Sequence, residues 1–102
     1  MSEPHFPTKA EFEAQLNSVF YAENGGADHF ELTLTDVIGH VSNERQENFS
    51  LVFHASNDMP AEQKTYTLRN DEIEMDVFIV PIRQDADGLY FEAVFNLFHA
   101  LA

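Results

Sequence analysis

Two long apolar runs, residues 73–82 and 89–98, dominate the hydrophobic pattern of this chain. Both runs are rich in β-branched and aromatic residues, which favour extended backbone. The segment between them, residues 85–88, contains the Asp and Gly residues that are typical of a tight hairpin turn. The pattern therefore predicts one long β-hairpin, with strands over residues 73–83 and 89–98.

The centres of both hairpin strands are apolar at consecutive positions, as in residues 77–80 and in the pair Val94 and Phe95. A strand with one wet face alternates between apolar and polar residues, whereas a strand covered on both faces does not. We therefore expect both faces of the hairpin to be covered. Ile79 and Phe95 are expected to be buried in the core.

The N-terminal part of the chain carries the pattern of one helix. Thr8 and Glu11 have the spacing of a capping box, in which the Thr hydroxyl accepts from the Glu amide. Phe12 and Leu16 then begin an apolar stripe with helical spacing. This predicts a helix over residues 8–17, which is too short to be stable alone and must pack on a sheet.

Alternating apolar and polar positions predict three further strands, since period-two alternation is typical of a half-buried strand. The strand propensity of residues 19–21 predicts a fourth. The connections between all these strands are short, which favours antiparallel pairing. We expect a single domain over residues 1–102, with residues 1–7 flexible. The predicted fold class is α+β, with one N-terminal helix packed on a strongly curved antiparallel sheet or a small open β-barrel of five to six strands. The four further strands are predicted over residues 19–23, 29–37, 48–55 and 64–69.

The composition is strongly acidic, with 18 Asp and Glu residues against 5 Lys and Arg residues and a net charge of −13. So few cations argue against binding to nucleic-acid phosphates. The absence of Cys excludes a disulfide scaffold and a thiolate metal site. No apolar run approaches the roughly 20 residues of a membrane span, and no signal-peptide pattern begins the sequence. We therefore expect a cytoplasmic location and no membrane partner.

Candidate catalytic and metal-binding patterns are weak. The five histidines lack the spacing of zinc ligands, and the turn at residues 85–88 lacks the first and last carboxylates of a calcium loop. Ser50 lacks the flanking glycines of a nucleophile elbow. We therefore predict no catalytic residue, no metal, no cofactor and no enzymatic activity.

Five segments of the chain form a recognisable set: residues 30–37, 49–53, 66–68, 78–82 and 89–96. Pro81 is a distinctive part of this set, because a proline inside a strand belongs at a sheet edge or a bulge. Together the segments resemble a family of small bacterial domains of unknown function. The resemblance implies no catalytic residue. Some relatives are encoded near phage-tail-like collar or fibre proteins, which implies a role in such an assembly.

Two functions remain open at this point. The first is a non-enzymatic protein-interaction or assembly accessory domain, which binds another protein or a second copy through a strand edge or an apolar patch. Leu97, Phe98 and Leu101 are candidate interface residues, unless this apolar tail folds back on the helix. The second function is binding of a small apolar ligand inside the curved sheet, with His54 and Tyr66 as polar contacts.

Overall fold

The computed structural model describes residues 8–24, 29–42 and 46–98. The predicted flexibility of residues 1–7 and the candidate interface residue Leu101 lie outside this part. No helix in the described part is long and apolar enough to cross a membrane. The elements are one short helix and six strands: α1 (Lys9–Glu13), β1 (Val19–Glu23), β2 (His29–Ser42), β3 (Gln46–Ala55), β4 (Lys64–Arg69), β5 (Glu74–Asp85) and β6 (Gly88–Phe98).

The six strands form a closed ring in the order β1-β2-β3-β6-β5-β4, and every neighbouring pair is antiparallel. The ring closes between β1 and β4, where Tyr21 lies opposite Arg69. Strand β5 serves two neighbours, since residues 74–79 pair with β4 and residues 80–85 pair with β6. The predicted antiparallel sheet of five to six strands is confirmed. The open form of that prediction is corrected, because β1 takes a partner on each side.

The core fills the inside of this ring. Every strand sends alternate side chains inward, because successive residues of a strand point to opposite faces. Ile79 and Phe95 belong to this core, as predicted. Other fully buried side chains from the strands are Phe20, Leu32, Leu34, Leu51, Phe53, Leu68, Phe91 and Ala93.

The prediction that both faces of the hairpin are covered is wrong. Phe78 is 51% exposed and Val94 is 60% exposed, although both lie beside buried residues of the same runs. The ring has a single interior, which takes only every second side chain of a strand. Consecutive apolar residues therefore place some of their apolar surface on the outside of the ring.

The helix is shorter than the predicted range of residues 8–17. Its N-cap is Thr8, whose hydroxyl accepts a hydrogen bond from the Glu11 amide at 3.3 Å, so this part of the capping box is confirmed. Phe12 is fully buried, and its ring lies 5.8 Å from that of Phe49 and 5.5 Å from that of Phe95. The helix thus covers the interior with one aromatic side chain, while Leu16 stays exposed.

The predicted hairpin turn is confirmed between β5 and β6. Asp85 ends β5, and its side chain accepts a hydrogen bond from the Asp87 amide at 2.8 Å. Gly88 begins β6 with φ of 140°, a conformation that side chains rarely adopt. Pro81 lies at a bulge in the same hairpin, in agreement with its expected place.

Candidate functional site

The two residues predicted as polar contacts for an interior ligand lie on opposite faces of the sheet. Tyr66 points into the core and is 1% exposed, and burial raises the pKa of its hydroxyl. His54 lies on the outer face, where its Nε2 is 2.7 Å from the carbonyl oxygen of Asp87. The structure therefore does not bring His54 and Tyr66 into one pocket.

The interior of the ring is occupied by large side chains. Phe20 and Phe53 meet edge to face with ring centroids 5.8 Å apart, and Phe49 and Phe95 stack at 5.2 Å. Such packing leaves the outer face as the part of the fold that can meet a partner without displacing the core.

The predicted interface residues Leu97 and Phe98 belong to the end of β6. Their backbones lie opposite Glu47 and Gln46 of β3. Their side chains, like Leu101, fall outside the described part of the chain. The interface prediction for these three residues is therefore neither supported nor contradicted.

The outer face of β2, β3, β6 and β5 is organised in cross-strand rows, which follow from the register. The first row runs Thr33, His54, Tyr90 and Arg83 across the four strands. His54 and Tyr90 meet edge to face at 5.0 Å, and the Arg83 guanidinium lies 4.0 Å from the centre of the Tyr90 ring. This row is aromatic and carries one permanent positive charge.

The second row runs Asp36, Val52, Glu92 and Val80 across the same four strands. Val52 points outward but is only 9% exposed. Asp36 is exposed and Glu92 is half-buried. This row therefore places a nearly buried apolar side chain between two carboxylates.

The third row runs Ile38, Ser50 and Val94. Ser50 is buried, and its hydroxyl oxygen lies 2.8 Å from Nε2 of His40. Ile38 at one end of the row is 44% exposed, and Val94 at the other end is 60% exposed. The row is apolar at both ends, with its central polar group satisfied by the histidine.

A groove of about 350 Å³ lies across the first and second rows. We call it the outer groove and define it by its lining residues: Asp36, Val52, Ile82, Arg83 and Tyr90. Val52 forms its floor. The lining combines apolar, aromatic and charged side chains, a composition that is typical of a recognition surface.

Two β-bulges border the outer groove. One interrupts the pairing of β2 with β3 between Leu34 and Asp36, and the other interrupts the pairing of β5 with β6 between Pro81 and Arg83. A bulge bends its strand and increases the local twist. Because the bulged strands flank the regular pair β3 and β6, the bulges account for a concave outer face at this point.

The charges around the outer groove are mostly negative. Nε of Arg83 lies 3.4 Å from a carboxylate oxygen of Asp85. The Thr35 hydroxyl donates to the Asp36 carboxylate at 3.1 Å. Within residues 8–24, 29–42 and 46–98, neither Asp36 nor Glu92 forms an ion pair with a basic side chain.

A second, more polar depression of about 510 Å³ lies on the other side of His54. Among the described residues, no group of three His, Asp or Glu side chains is arranged to hold a metal ion. The lining residues of this depression are His29, Phe30, Glu31, Thr33, His54, Ala55, Ser56, Asp58 and Asp87.

Reasoning from the sequence missed the outer groove. Strict alternation along β2 fails at Thr35, because Leu34 and Val37 both point inward across the bulge. The odd spacing of these two apolar residues is the signal that could have revealed the bulge. Without the register, however, nothing in the sequence places Asp36 beside Val52 of another strand.

The fold and the surface define a class of small domains in which six antiparallel strands close into a ring around a packed core. The chain belongs to the family described as domain of unknown function DUF6916, whose model matches residues 7–95. The match runs from before α1 to Phe95 in β6 and so includes all the elements between them. It confirms the predicted membership in a family of unknown function. No curated protein and no solved structure matches the chain.

Proposed function

We propose that this protein is a non-enzymatic interaction domain that binds another protein through the outer face of β2, β3, β6 and β5. The observation that carries this proposal is the outer groove, with Val52 as a nearly buried apolar floor. Ile38, Ile82 and Val94 surround it with exposed apolar surface. Apolar surface of this kind, bordered by polar groups, is a feature of protein-binding sites.

A protein partner suits this surface better than a small apolar ligand does. The apolar side chains come from the second row, the third row and the β5 bulge, and they lie on four strands, so an extended partner can contact several of them at once. An interior ligand has less support, because it would have to displace tightly packed rings such as Phe20 and Phe53.

The resemblance described for the sequence suggests where the partner is to be sought. A bacterial phage-tail-like assembly, formed in the cytoplasm, is the first system to test. In this proposal the domain is an accessory that holds or positions another component of the assembly. A second copy of the chain is the competing partner.

Site-specific photocrosslinking tests this proposal. A photoreactive phenylalanine replaces Val94 on the proposed face or, as a matched control, Tyr21 on β1, which is exposed to a similar extent. We expect one defined crosslinked protein from position 94 and none from position 21 in cells that express the protein natively. Equal crosslinking at both positions, or crosslinking at position 21 alone, contradicts the proposed face.

The identified partner then allows a binding measurement with purified proteins. We expect Ile38→Ser combined with Val94→Ser to weaken binding by about tenfold or more, because both changes remove apolar contact area. Tyr21→Ser is expected to leave the affinity unchanged. If the partner proves to be a second copy, the same variants shift the monomer–dimer equilibrium in a sizing experiment.

A further inference from the structure

Two carboxylates lie on either side of Val52 at a defined spacing: Asp36 lines the outer groove, and Glu92 lies opposite Val52 in the register, next to that lining. Asp36 and Glu92 both lie directly opposite Val52, on the two strands that neighbour β3. Their backbones are therefore two strand spacings apart, which is about 10 Å. Both side chains point to the same outer face as Val52.

Within the described residues neither carboxylate forms an ion pair, although Arg83 lines the same groove as Asp36. Arg83 is the nearest cation by register, but it lies on Tyr90 and beside the Asp85 carboxylate. The charges that face the groove region are thus three acids and one base. Covering Asp36 and Glu92 without a counter-charge would leave ionised groups with reduced hydration, which is strongly unfavourable.

A partner that covers Val52 must therefore bring a cation to the same place. Arginine fits the geometry better than lysine, because its guanidinium is planar and has donors on more than one edge. Its flat face can rest on the apolar Val52 side chain while opposite edges donate to two carboxylates about 10 Å apart in backbone position.

We propose that the outer groove recognises an extended protein segment containing an arginine, whose guanidinium lies on Val52 between Asp36 and Glu92. This inference rests on the proposed function, and it specifies the chemistry of the segment that is bound. Apolar residues beside the arginine contact Ile82 on one side and Val94 on the other.

Selection from a displayed library of random decapeptides tests the inference, with the purified domain as bait. We expect the selected peptides to share an arginine at one fixed position, flanked by apolar residues. Asp36→Asn combined with Glu92→Gln should weaken binding of a selected peptide by about tenfold or more, because two charge-assisted hydrogen-bond partners are lost. Replacing the arginine of that peptide by lysine should weaken binding severalfold.

A matched variant separates local recognition from the attraction of an acidic protein for any basic peptide. Asp71→Asn combined with Glu72→Gln also removes two negative charges, but from the exposed turn before β5. We expect this variant to change the affinity by less than about twofold. Equal losses in the two variants would show general electrostatic attraction and overturn the inference.

Other outcomes divide the inference from the proposed function. Peptides that lack a basic residue but are lost on Val94→Ser would overturn the arginine assignment and retain the outer face as a binding site. A selection that yields no ligand of the outer groove also overturns the inference. The crosslinking comparison of positions 94 and 21 then decides the proposed function independently.

Discussion

Phe95 joins the hairpin to the helix through its ring contacts. It stacks on Phe49 at 5.2 Å and lies 5.5 Å from Phe12. Phe95→Ala removes these contacts and leaves a cavity, so we expect the free energy of unfolding to fall by roughly 3–5 kcal/mol. Chemical denaturation measures this loss. The neighbouring change Val94→Ala, at an exposed position, should stay within about 0.5 kcal/mol, and equal effects of the two changes would contradict the packed interior.

Gly88 occupies a position that does not tolerate a side chain. Its φ of 140° is in the region that favours glycine, and an added Cβ would press on the Ala55 carbonyl oxygen and lie 2.5 Å from Nε2 of His54. We expect Gly88→Ala to cost roughly 2–3 kcal/mol of stability in a denaturation experiment, since backbone strain adds to the clash.

Gly39 is the matched control for this change. A Cβ at Gly39 would meet only the far end of the flexible Lys9 side chain, with Cε at 2.8 Å. Because that side chain can move, we expect Gly39→Ala to cost less than about 1 kcal/mol. A loss as large as that of Gly88→Ala would show that crowding alone, without backbone strain, explains both effects.

Tyr66 links the stability of the fold to alkaline pH. Burial raises the pKa of its hydroxyl above the ordinary value of 10.0, so the folded chain favours the protonated form. Its contribution is therefore fully present below about pH 10 and is lost as the pH rises through the raised pKa. We expect stability to fall above this pH in thermal melts, and to fall less steeply in Tyr66→Phe. Parallel curves for the two proteins would contradict the buried position of the hydroxyl.

At the scale of elements, the short helix depends on its cap. Thr8 accepts from the Glu11 amide, and only the five residues Lys9–Glu13 follow in helical conformation. We expect Thr8→Ala to lower the free energy of unfolding by about 1 kcal/mol. Thr8→Ser should keep most of that stability, because the serine hydroxyl can also cap the helix. Denaturation of both variants measures this difference. Identical losses for alanine and serine would mean that the hydroxyl has no capping role.

The strands of this protein were predictable from local pattern, and the end of the helix was not. Alternation marked β2, β3 and β4, strand propensity marked β1, and long apolar runs marked β5 and β6. The helix ends early because the Asn17 amide donates to the Leu34 carbonyl oxygen at 2.7 Å and the Leu34 amide donates to Ser18. These hydrogen bonds to β2, which is distant in sequence, hold residues 17 and 18 in a non-helical conformation. The helix therefore ends before Leu16, although the spacing of Phe12 and Leu16 is helical.

The outer groove could not be predicted for a related reason. Its residues come from β2, β3, β5 and β6, and their meeting depends on register and on two bulges. Single-strand patterns contain neither piece of information. From the sequence alone, Asp36 and Arg83 are indistinguishable from ordinary surface charges. Only the register of the closed ring shows that both line one groove.

At the scale of the whole molecule, the net charge of −13 opposes the compact fold through mutual repulsion. Added salt shortens the reach of this repulsion to about 8 Å at physiological ionic strength. We expect the melting temperature to rise between low and moderate sodium chloride concentrations. A flat or falling curve would contradict this expectation, and calcium added at constant ionic strength tests for binding of a specific cation.

The position of β6 in the ring has a consequence for biosynthesis. It is the last of the six strands along the chain, yet it lies between β3 and β5, and its ladder with β3 runs from Ala55 opposite Leu89 to Gln46 opposite Phe98. While the ribosome has exposed only β1 to β5, the outer edges of β3 and β5 have no partner and the apolar interior is open. Such intermediates are prone to aggregate and fold slowly, because their contacts are distant in sequence. We therefore expect the nascent chain to complete its fold only after β6 has emerged, and until then to expose unpaired strand edges that favour aggregation.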